Sequence, residues 1–478
     1  MSREFGFLIN GKWLKGGKKK EIKSPYNGEV AGVINIPDRE TAVGSIGYAE
    51  DAFSKWRESP SHERSSILRK IAEGIAARKE EFAKTLVLEG GKPLKTARVE
   101  VGRAVVTFSV AAEEANRFGE GELVPIDIAP GNENMFGIAR RFPLGVVVGI
   151  SPFNFPLNLV AHKVAPSIAS GNAMILKPAS QTPLSALMLG KVVLEAGLPE
   201  GLLNILPVPG AEIEAVIDDE RVRKVSFTGS DAIGWELKKK YPKKKVTLEL
   251  GGNAATIIDE DPPDLGFAAS RNAWGAFYQA GQSCISVQRM YVHEKTFDKF
   301  ISRFVEETRK LKLGDPMLED TDVGPVIDSG SADRIMKWVE DALSSGAKLL
   351  SGGNRDGSLI EPTVLTDVPP GCDVSKNEVF GPVVHVERYR DFDDALKAVN
   401  DSRYGLQAGV FTKDMKKAFK AYSALDVGGV VVNDYPSFRV ENMPYGGVKD
   451  SGVGREGVRY AIEEMTELKL MVINLNYK

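Results

Sequence analysis

Cys284 is a candidate nucleophile because of its chemistry and its place in the chain. It ends the stretch QAGQSC, after a predicted helix and a glycine-containing turn and just before a predicted strand. Junctions of this kind commonly present reactive groups, and the thiolate of a cysteine is its nucleophilic form. A lone cysteine is more often a small buried apolar residue, so position alone favours a structural role over a catalytic one.

Glu249 lies at the end of a predicted buried strand, within VTLELGG. A carboxylate there is poorly solvated, and burial raises its pKa toward the range of a general base near neutral pH. The alternative is a glutamate that pairs with a nearby lysine or caps a turn. The residues around Glu249 do not decide between these two interpretations.

Polar residues follow three other predicted strands of the same region. Asn154 lies in SPFNFP, where prolines fix the backbone and the amide can donate a hydrogen bond to a developing oxyanion; an Asx turn is the alternative. Lys177 begins KPAS and places an ammonium where ribose hydroxyls or phosphates bind. Ser230 ends FTGS, positioned to cap a helix whose amides can hold a phosphate. The carboxyl ends of strands in an open α/β sheet bind such ligands.

The elements that position these residues are predicted to form an α/β sheet. From Gly145 onward, short apolar strands alternate with amphipathic helices such as 182–196, as in βαβ units with a parallel sheet. The predicted strands are 145–150, 172–177, 202–206, 223–227 and 246–250. This pattern is typical of a nucleotide-binding architecture.

A second alternation begins near Gly251 and predicts a second α/β domain. Its predicted strands are 253–258, 285–292, 383–388, 408–411 and 428–433, and its predicted helices are 264–280, 294–311 and 331–345. Ahead of the first alternation, three helices are predicted within 49–118, including 63–88 and 96–118. The strand-like segment 468–475 stands alone, and such a strand needs a partner sheet, for which another subunit is one source.

The composition argues against several classes of protein. Apolar residues make up 42% and charged residues 27% of the chain, as in ordinary globular proteins. The longest apolar runs are far short of the ~20 residues that span a bilayer, so no membrane partner is expected. The net charge of −3 comes from interleaved acids and bases, which gives no basic field for nucleic acid. Residues 1–6 lack the apolar core of a secretory signal, so a cytoplasmic protein is expected.

Neither a disulfide framework nor a metal site is expected. The chain has only two cysteines, which cannot build the framework of a small secreted scaffold. Its four histidines are scattered, and there is no CxxC or HExxH motif to bind zinc. Cys372 follows Pro-Pro-Gly in a loop without an acid or amide motif beside it, and it is predicted to be structural.

Seven ordered motifs resemble those of the aldehyde dehydrogenase superfamily. They are SPFNFP (151–156), KPAS (177–180), FTGS (227–230), LELGG (248–252), GQSC (281–284), EVFGP (378–382) and PYGGVKDSGVGREG (444–457). The resemblance covers nearly the whole chain, with the motifs at about the spacings of the family. It favours the catalytic interpretation of Cys284 over the structural one.

The resemblance implies a role for each catalytic residue. Cys284 would attack the aldehyde as a thiolate, and its backbone N–H and the Asn154 amide would form the oxyanion hole. After hydride transfer to NAD or NADP, Glu249 would activate the water that hydrolyses the thioester. The product would be a carboxylate.

The resemblance also implies a site for a nicotinamide dinucleotide. Lys177 and Glu378 would hold the two riboses, Phe380 would pack beside the nicotinamide, and Ser230 would meet the pyrophosphate. The other residues expected in this site are Ser151, Pro152, Phe153, Ser180, Phe227, Gly229 and Leu250.

Ser180 departs from the pattern of many NAD-using members, which carry a glutamate there. That carboxylate accepts hydrogen bonds from the adenosine ribose and would repel a 2′-phosphate. Serine does not repel a phosphate, so the sequence predicts that NADP is accepted and can be preferred to NAD.

The implied fold has a Rossmann-like cofactor domain, a second α/β catalytic domain and a small β oligomerisation element. The expected cofactor domain is 1–118 with 143–248, and the expected catalytic domain is 249–442. Residues 119–142 and 443–478 would form the oligomerisation element and the C-terminal tail. A homodimer or homotetramer is expected.

The expected substrate is a short hydroxylated or anionic aldehyde. The regions GQSCISVQR and NDYPSFRVENMPYGG resemble members that act on lactaldehyde, glyceraldehyde 3-phosphate or phosphonoacetaldehyde. Arg103 and Arg439 are the candidates for binding an anionic group, since guanidinium forks suit carboxylates, phosphates and sulfonates. Ordinary salt bridges are the alternative for both.

Two rival functions are open at this point. A CoA-acylating semialdehyde dehydrogenase would pass the thioester to CoA, but members of that kind typically lack the glutamate at position 249. A catalytically silent binding or structural homologue would have a broken catalytic set. In this chain Cys284, Glu249, Asn154 and Lys177 are all present.

Overall fold

The computed structural model describes residues 3–476, which form an α/β protein with two large sheets. The predicted fold class is confirmed. The expected domain limits at residues 1 and 478 lie outside the described residues, and the domain boundaries stay a prediction. No helix within 3–476 is long and apolar enough to cross a membrane.

The first large sheet has eight strands and includes all five strands predicted for the first alternation. In spatial order they are Gly452–Val453, Lys245–Glu249, Val222–Thr228, Val146–Ile150, Ala173–Lys177, Leu203–Ile205, Phe7–Ile9 and Lys12–Leu14. The five strands from Lys245–Glu249 to Leu203–Ile205 are parallel. Each was predicted to within one residue at either end.

The strand order of this sheet reverses at its centre. From Val146–Ile150 the chain adds two strands on one side, and it then returns to the other side of the same strand with Val222–Thr228. Ligands of open α/β sheets bind at the carboxyl ends of strands beside such a reversal. Ser151 and Ser230 follow these two strands, so the topology brings two of the predicted polar strand ends to one edge.

The second large sheet has seven strands and confirms the second α/β alternation. In spatial order they are Lys348–Ser351, Thr363–Thr366, Val383–Tyr389, Arg289–His293, Ala255–Ile258, Gln407–Phe411 and Gly429–Val432. The predicted strand 285–292 is wrong at its start, because the chain enters the sheet only at Arg289. The preceding residues form tight turns that carry Cys284.

Helices cover the faces of the sheets. Those of the first half are Arg39–Trp56, Ser61–Ala77, Lys79–Gly90, Leu94–Arg117, Asn158–Ser170, Leu184–Glu195, Gly210–Asp218 and Asp231–Lys240. Those of the second half are Leu265–Phe277, the 3₁₀ turn Tyr278–Gly281, Glu294–Lys310, Ser329–Ser344, Asp373–Lys376, Phe392–Asn400, Met415–Ala424 and Val458–Glu464.

The single helix predicted over 63–88 is wrong. It is two helices joined at Arg78, whose backbone leaves the helical region at φ −110° and ψ 23°. The Arg78 guanidinium donates a hydrogen bond to Glu195, 2.5 Å away on another helix. This long-range contact accompanies a break for which no glycine or proline gives a signal.

Four small sheets complete the fold. They are Glu4–Phe5 with Val30–Ile36 and Lys18–Lys23, Arg355–Asp356 with Leu359–Ile360, Tyr404–Gly405 with Val448–Lys449, and Glu122–Val124 with Met135–Pro143 and Thr466–Asn474. The last of these corrects the expectation that the terminal strand stands alone, because it pairs along its length with Met135–Pro143 of the same chain. Its apolar residues Leu468, Leu470 and Met471 are nevertheless 50–59% exposed.

Candidate active site

Cys284 is positioned by an unusual turn that follows the helix Leu265–Phe277. Gln279 and Ala280 both have positive φ angles, 55° and 53°, and Gly281 continues the turn at 68°. A Cβ at Gly281 would lie 2.0 Å from the carbonyl oxygen of Gly381, so only glycine fits there. The Gln282 side chain closes the turn by accepting a hydrogen bond from the backbone of Ile327 at 2.9 Å.

The three predicted catalytic residues, Cys284, Asn154 and Glu249, line one narrow pocket of about 50 Å³. Both candidate substrate arginines line it as well. The other residues around this pocket are Phe155, Asn158, Leu159, Thr228, Tyr278, Ser283, Ile285, Ser437, Tyr445 and Glu456. A nucleophile, a carboxylate and cationic groups are therefore brought together from four separate parts of the chain.

The thiol of Cys284 contacts a phenol, since its Sγ lies 3.1 Å from the hydroxyl of Tyr445. Burial raises the pKa of the thiol to about 12, although the hydrogen bond with Tyr445 and the charge of Arg439 act in the opposite direction. Glu378 and Glu249 raise it further. In this state Cys284 is a thiol, and it needs a base or a change in its surroundings to become a thiolate.

Asn154 is held beside the nucleophile by the turn that carries it. Its Nδ2 donates a hydrogen bond to the carbonyl oxygen of Gln282 at 2.9 Å, and it is almost fully buried. The chain that follows is fixed by Glu100, whose Oε1 accepts the backbone N–H groups of Leu157 and Asn158 at 2.9 and 3.1 Å. One N–H of the Asn154 amide stays free for another acceptor.

Glu249 ends its strand in the pocket without a hydrogen-bond partner. Both carboxylate oxygens are buried, and neither accepts a hydrogen bond from any described residue. Burial raises its pKa well above the ordinary value, and the charge of Glu456 raises it further, while Arg439 and Lys163 oppose the shift. The alternative of a glutamate paired with lysine or capping a turn is therefore wrong.

Gly446 has no side chain, and the Glu249 carboxylate occupies the space where one would lie. Its φ is +156°, and a Cβ there would lie 2.9 Å from Glu249 Oε1. A side chain at this position would push the carboxylate away from its present place.

Glu456 is a second buried carboxylate in the pocket, and its surroundings are opposite. It accepts hydrogen bonds from Lys163 Nζ at 3.2 Å and from Arg439 Nη2 at 3.1 Å. Burial alone would raise its pKa, but Lys163, Arg439 and His162 together hold it below the ordinary value. The surroundings thus favour the charged form of Glu456 and the neutral form of Glu249.

Arg439 and Arg103 line the pocket, and both also form ion pairs. Arg439 bonds Glu456 and lies flat on the ring of Tyr445, with 3.7 Å between its guanidinium carbon and the ring centre. Its Nε is buried without a partner. Arg103 donates from Nε to Glu441 at 2.6 Å. Both arginines form salt bridges in the pocket wall, that of Arg439 buried and that of Arg103 partly buried. Their role in substrate binding stays a prediction.

Lys177 and Ser180 lie at the carboxyl end of the next strand. Lys177 is nearly buried, and burial with the nearby charge of Lys20 lowers its pKa to about 8. Lys20, from the strand Lys18–Lys23, donates a hydrogen bond from Nζ to the carbonyl oxygen of Ser180 at 2.9 Å. Lys20 therefore adds a second positive charge beside Ser180, the position at which many NAD-using members carry a glutamate.

Glu378 and Phe380 face the strand ends from the second half of the chain. One oxygen of Glu378 accepts the backbone N–H of Gly252 at 2.9 Å, and burial raises its pKa to about 7. The Phe380 ring meets Phe153 edge to face, with 5.6 Å between ring centres. Ser151 follows the strand Val146–Ile150, and its buried hydroxyl has no partner among the described residues.

Ser230 does not cap its helix as predicted. It stands at the N-cap position of Asp231–Lys240, yet its hydroxyl makes no capping hydrogen bond. The carboxylate of Asp231 takes that role by accepting the N–H of Ala232 at 2.9 Å. Asp231 is itself paired with Arg403 at 2.5 Å, and the Ser230 hydroxyl is left available.

The remaining predicted cofactor residues pack around this helix start. The Phe227 ring lies against Gly229, where a Cβ would come within 2.6 Å of it, and Leu250 packs against Gly234 of the helix. Pro152 follows Ser151 in the same loop and is partly buried.

Residues 13–471 of the chain match the sequence model of the aldehyde dehydrogenase family. The chain belongs to the aldehyde dehydrogenase family. It is an NAD(P)-dependent oxidoreductase, and the resemblance stated from its motifs is confirmed.

Three aldehyde dehydrogenase relatives match nearly the whole chain. The 3-sulfolactaldehyde dehydrogenase of Priestia aryabhattai is 45% identical, covering 99% of this chain and 98% of its own. Aldehyde dehydrogenase 21 of Physcomitrella patens, solved with its reaction product succinate, is 46% identical with a TM-score of 0.98, covering 100% and 99%. The glyceraldehyde-3-phosphate dehydrogenase GapN of Methanocaldococcus jannaschii, solved with NADP, is 41% identical with a TM-score of 0.91, covering 96% and 100%.

Sequence reasoning missed two pocket residues of this dehydrogenase, Tyr445 and Glu456, together with Lys163, which bonds Glu456 from behind the pocket wall. Lys163 gave a usable signal, because a lysine inside the otherwise apolar helix Asn158–Ser170 needs a buried partner. Tyr445 and Glu456 lie in the motif PYGGVKDSGVGREG, but nothing in that motif shows that it folds over the pocket.

Cys372 is not among the residues that line the pocket. It is free, packs partly against the core of the second half and precedes the short helix Asp373–Lys376. Among residues 3–476 there is no group of three histidine, cysteine, aspartate or glutamate side chains that could hold a metal ion.

Proposed function

We propose that this aldehyde dehydrogenase oxidises short anionic or hydroxylated aldehydes to carboxylates, with Cys284 as nucleophile and Glu249 as general base. The main support for this proposal is the set of groups that line the pocket. The pocket places a buried thiol, a carboxylate without hydrogen-bond partners and two arginines around one cavity. Each of these groups has a separate use in the oxidation of an anionic aldehyde.

The chemistry begins when the Cys284 thiol gives up its proton to water, and the thiolate then attacks the carbonyl carbon and forms a carbon–sulfur bond. The oxygen becomes negative, and the Asn154 amide with the Cys284 backbone N–H donates to it. A nicotinamide dinucleotide, when bound, supplies the hydride acceptor. Cys284 then carries a thioester, and water attacks it while Glu249 takes the proton of that water. The sulfur leaves as thiolate, and the product is a carboxylate.

The proposed cofactor is NADP or NAD, with NADP accepted. The Ser151 hydroxyl is buried without a partner, and Glu378 uses only one oxygen, so both have capacity left for a ligand. Lys177 and Ser230 would serve a ribose and the pyrophosphate. Two lysines, Lys177 and Lys20, lie near Ser180, and positive charge there favours a 2′-phosphate. The GapN relative was solved with NADP.

The proposed substrate class rests on the charge of the pocket. Three cations, Lys163, Arg439 and Arg103, face the two anions Glu456 and Glu441. Glu249 is held toward its neutral form, so one positive charge is left in excess, and the Nε of Arg439 has no partner among the described residues. Relatives are named for sulfolactaldehyde and glyceraldehyde 3-phosphate, and one holds succinate. All three compounds carry an anionic group a few atoms from the reacting carbon.

The remaining expectations are also proposals. The domain division expected from the sequence is proposed unchanged. A cytoplasmic location is proposed because both cysteines are free thiols, as is usual in a reducing compartment. A homodimer or homotetramer would cover the exposed apolar side chains of Thr466–Asn474. Light scattering of the purified protein measures its mass directly, and a monomer would contradict the oligomer.

The test is a panel of neutral and anionic aldehydes assayed with both cofactors, with and without CoA. We expect the highest kcat/KM with an anionic aldehyde, a free acid as product and turnover with NADP. The Cys284→Ala variant should form no reduced cofactor. A kcat/KM ratio of NADP over NAD well below one would overturn the cofactor proposal, and a CoA thioester as the product would overturn the hydrolytic role of Glu249.

A further inference from the structure

Tyr445 is the only hydroxyl within hydrogen-bond distance of the Cys284 thiol among the described residues. The two atoms are 3.1 Å apart, and Tyr445 is 2% exposed. The mechanism above gives this phenol no task. A buried polar group in contact with a reacting atom needs an explanation of its own.

Three contacts fix the position of the Tyr445 ring. The guanidinium of Arg439 stacks on one face at 3.7 Å. The backbone of Tyr445 pairs with that of Glu456 through two hydrogen bonds, at 3.0 and 2.6 Å. Ile285 and Leu406 pack around the ring. The hydroxyl therefore cannot turn away from the sulfur without disturbing the pocket wall.

The phenol is the donor once Cys284 ionises. Burial raises the pKa of Tyr445 well above its ordinary value, and the charge of Cys284 raises it further. The phenol thus keeps its proton when the thiol loses one, and its O–H points to the sulfur. Other charges also face the sulfur, and their effects differ: Arg439 favours the thiolate, whereas Glu378 and Glu249 disfavour it.

We propose that Tyr445 is a further catalytic residue, whose hydroxyl donates a hydrogen bond to the Cys284 thiolate. This bond stabilises the nucleophile before it attacks the aldehyde. It stabilises the same thiolate again when the sulfur leaves the thioester during hydrolysis. The proposal rests on the proposed function, since it takes Cys284 as the nucleophile.

The experiment measures how alkylation of Cys284 by iodoacetamide depends on pH, without cofactor. Every protein carries Cys372→Ser, because Cys372 is also a free cysteine. In Tyr445→Phe we expect the alkylation midpoint to rise by about one pH unit or more, since one hydrogen bond to the charged form is lost. The matched control is Tyr278→Phe, which removes a phenol hydroxyl from the same pocket but none that bonds the thiol. It should leave the midpoint in place.

An unchanged or lowered midpoint in a folded Tyr445→Phe protein would overturn the proposal. Circular dichroism shows whether the variant folds. If it does not, 3-fluorotyrosine at position 445 serves as the second variant, because a more acidic phenol is a stronger donor. It should lower the midpoint, and an unchanged midpoint again overturns the proposal.

The failure of this proposal is distinguishable from that of the proposed function. If Cys284→Ala still forms reduced cofactor, Cys284 is not the nucleophile and both proposals fall. If Cys284→Ala is inactive and the Tyr445→Phe midpoint is unchanged, only the role of Tyr445 falls.

Discussion

Glu249 and Glu456 line the same pocket, but their carboxylates lie in opposite surroundings. Glu249 has no hydrogen-bond partner, and burial raises its pKa. Glu456 is equally buried, yet Lys163 and Arg439 bond it and lower its pKa. Two glutamates in one pocket therefore differ in chemistry: Glu249 can exchange a proton, whereas Glu456 stays charged.

Burial alone therefore does not determine the pKa of a carboxyl group in this pocket. Desolvation acts on both residues, and the partners decide the outcome. Glu456 bonds Arg439 and Lys163, which leaves the Glu249 carboxylate as the group that can accept a proton from water. Pairs of titratable groups whose surroundings separate their pKa values mark the site of acid–base chemistry.

The largest expected effect comes from Glu249→Gln. Loss of the general base should lower the steady-state rate about 10²–10⁴-fold, because water then attacks the thioester unaided. The steady-state formation of reduced cofactor measures this rate. The control is Glu340→Gln on an exposed helix face, which should keep the wild-type rate. A Glu249→Gln enzyme that turns over at the wild-type rate would contradict the assignment.

Glu456→Gln should act on stability first. It leaves Lys163 and Arg439 buried without their anion, and breaking a buried ion pair from one side costs roughly 3–5 kcal/mol. Urea unfolding followed by fluorescence measures the loss. Glu249→Gln should cost far less under the same conditions, since it removes a carboxylate that has no partner. Equal losses in the two variants would mean that the two acids do not differ as described.

Arg439→Ala and Arg103→Ala test whether the excess positive charge serves the substrate. A hydrogen bond to a charged group contributes about 1.5–3 kcal/mol, so KM for glyceraldehyde 3-phosphate should rise roughly 10–100-fold. KM for neutral lactaldehyde should change much less. No change in KM for the anionic aldehyde would show that these arginines serve only their glutamates.

Per pH unit, the smallest effect is the dependence of stability on pH. The pKa of Glu249 is raised on folding, so the folded state holds its proton more tightly and wild type loses stability as pH rises above the ordinary carboxyl pKa. The loss is about 1.4 kcal/mol per pH unit until the folded pKa is reached. The difference in Tm between Glu249→Gln and wild type should therefore grow from pH 5 to pH 8, and a constant difference would contradict the raised pKa.

Glu456 should show the opposite dependence. Its pKa is lowered on folding, so its contribution is present above the ordinary carboxyl pKa and is lost as pH falls through the folded value. The Tm difference between wild type and Glu456→Gln should shrink in acid.

Local patterns predicted most of the fold. The apolar strands of the first sheet are short, buried and separated by amphipathic helices, so their period and length identify them within one residue. The break at Arg78 and the late start of the strand at Arg289 were not predictable. Each depends on contacts with distant residues, and neither carries a proline or glycine at the break itself.

The catalytic residues of the candidate site were predicted because they lie in sequence motifs of the family. Cys284, Glu249 and Asn154 follow from the family resemblance, and their meeting in one pocket agrees with it. Tyr445 and Glu456 enter the pocket because Gly452–Val453 pairs with Lys245–Glu249 across about 200 residues of chain. Such a pairing has no local signal, which is why the contrast between the two acids appears only in the folded chain.

Mass spectrometry of Glu249→Gln, mixed with NADP and glyceraldehyde 3-phosphate and quenched in acid, tests the roles of Cys284 and Glu249 together. We expect the peptide containing Cys284 to carry the acyl group of the oxidised aldehyde, because the thioester forms but water hydrolyses it slowly. An unmodified Cys284 peptide after reduced cofactor has formed, or an acyl group on another residue, would contradict the claim that Cys284 carries the thioester and Glu249 activates the water.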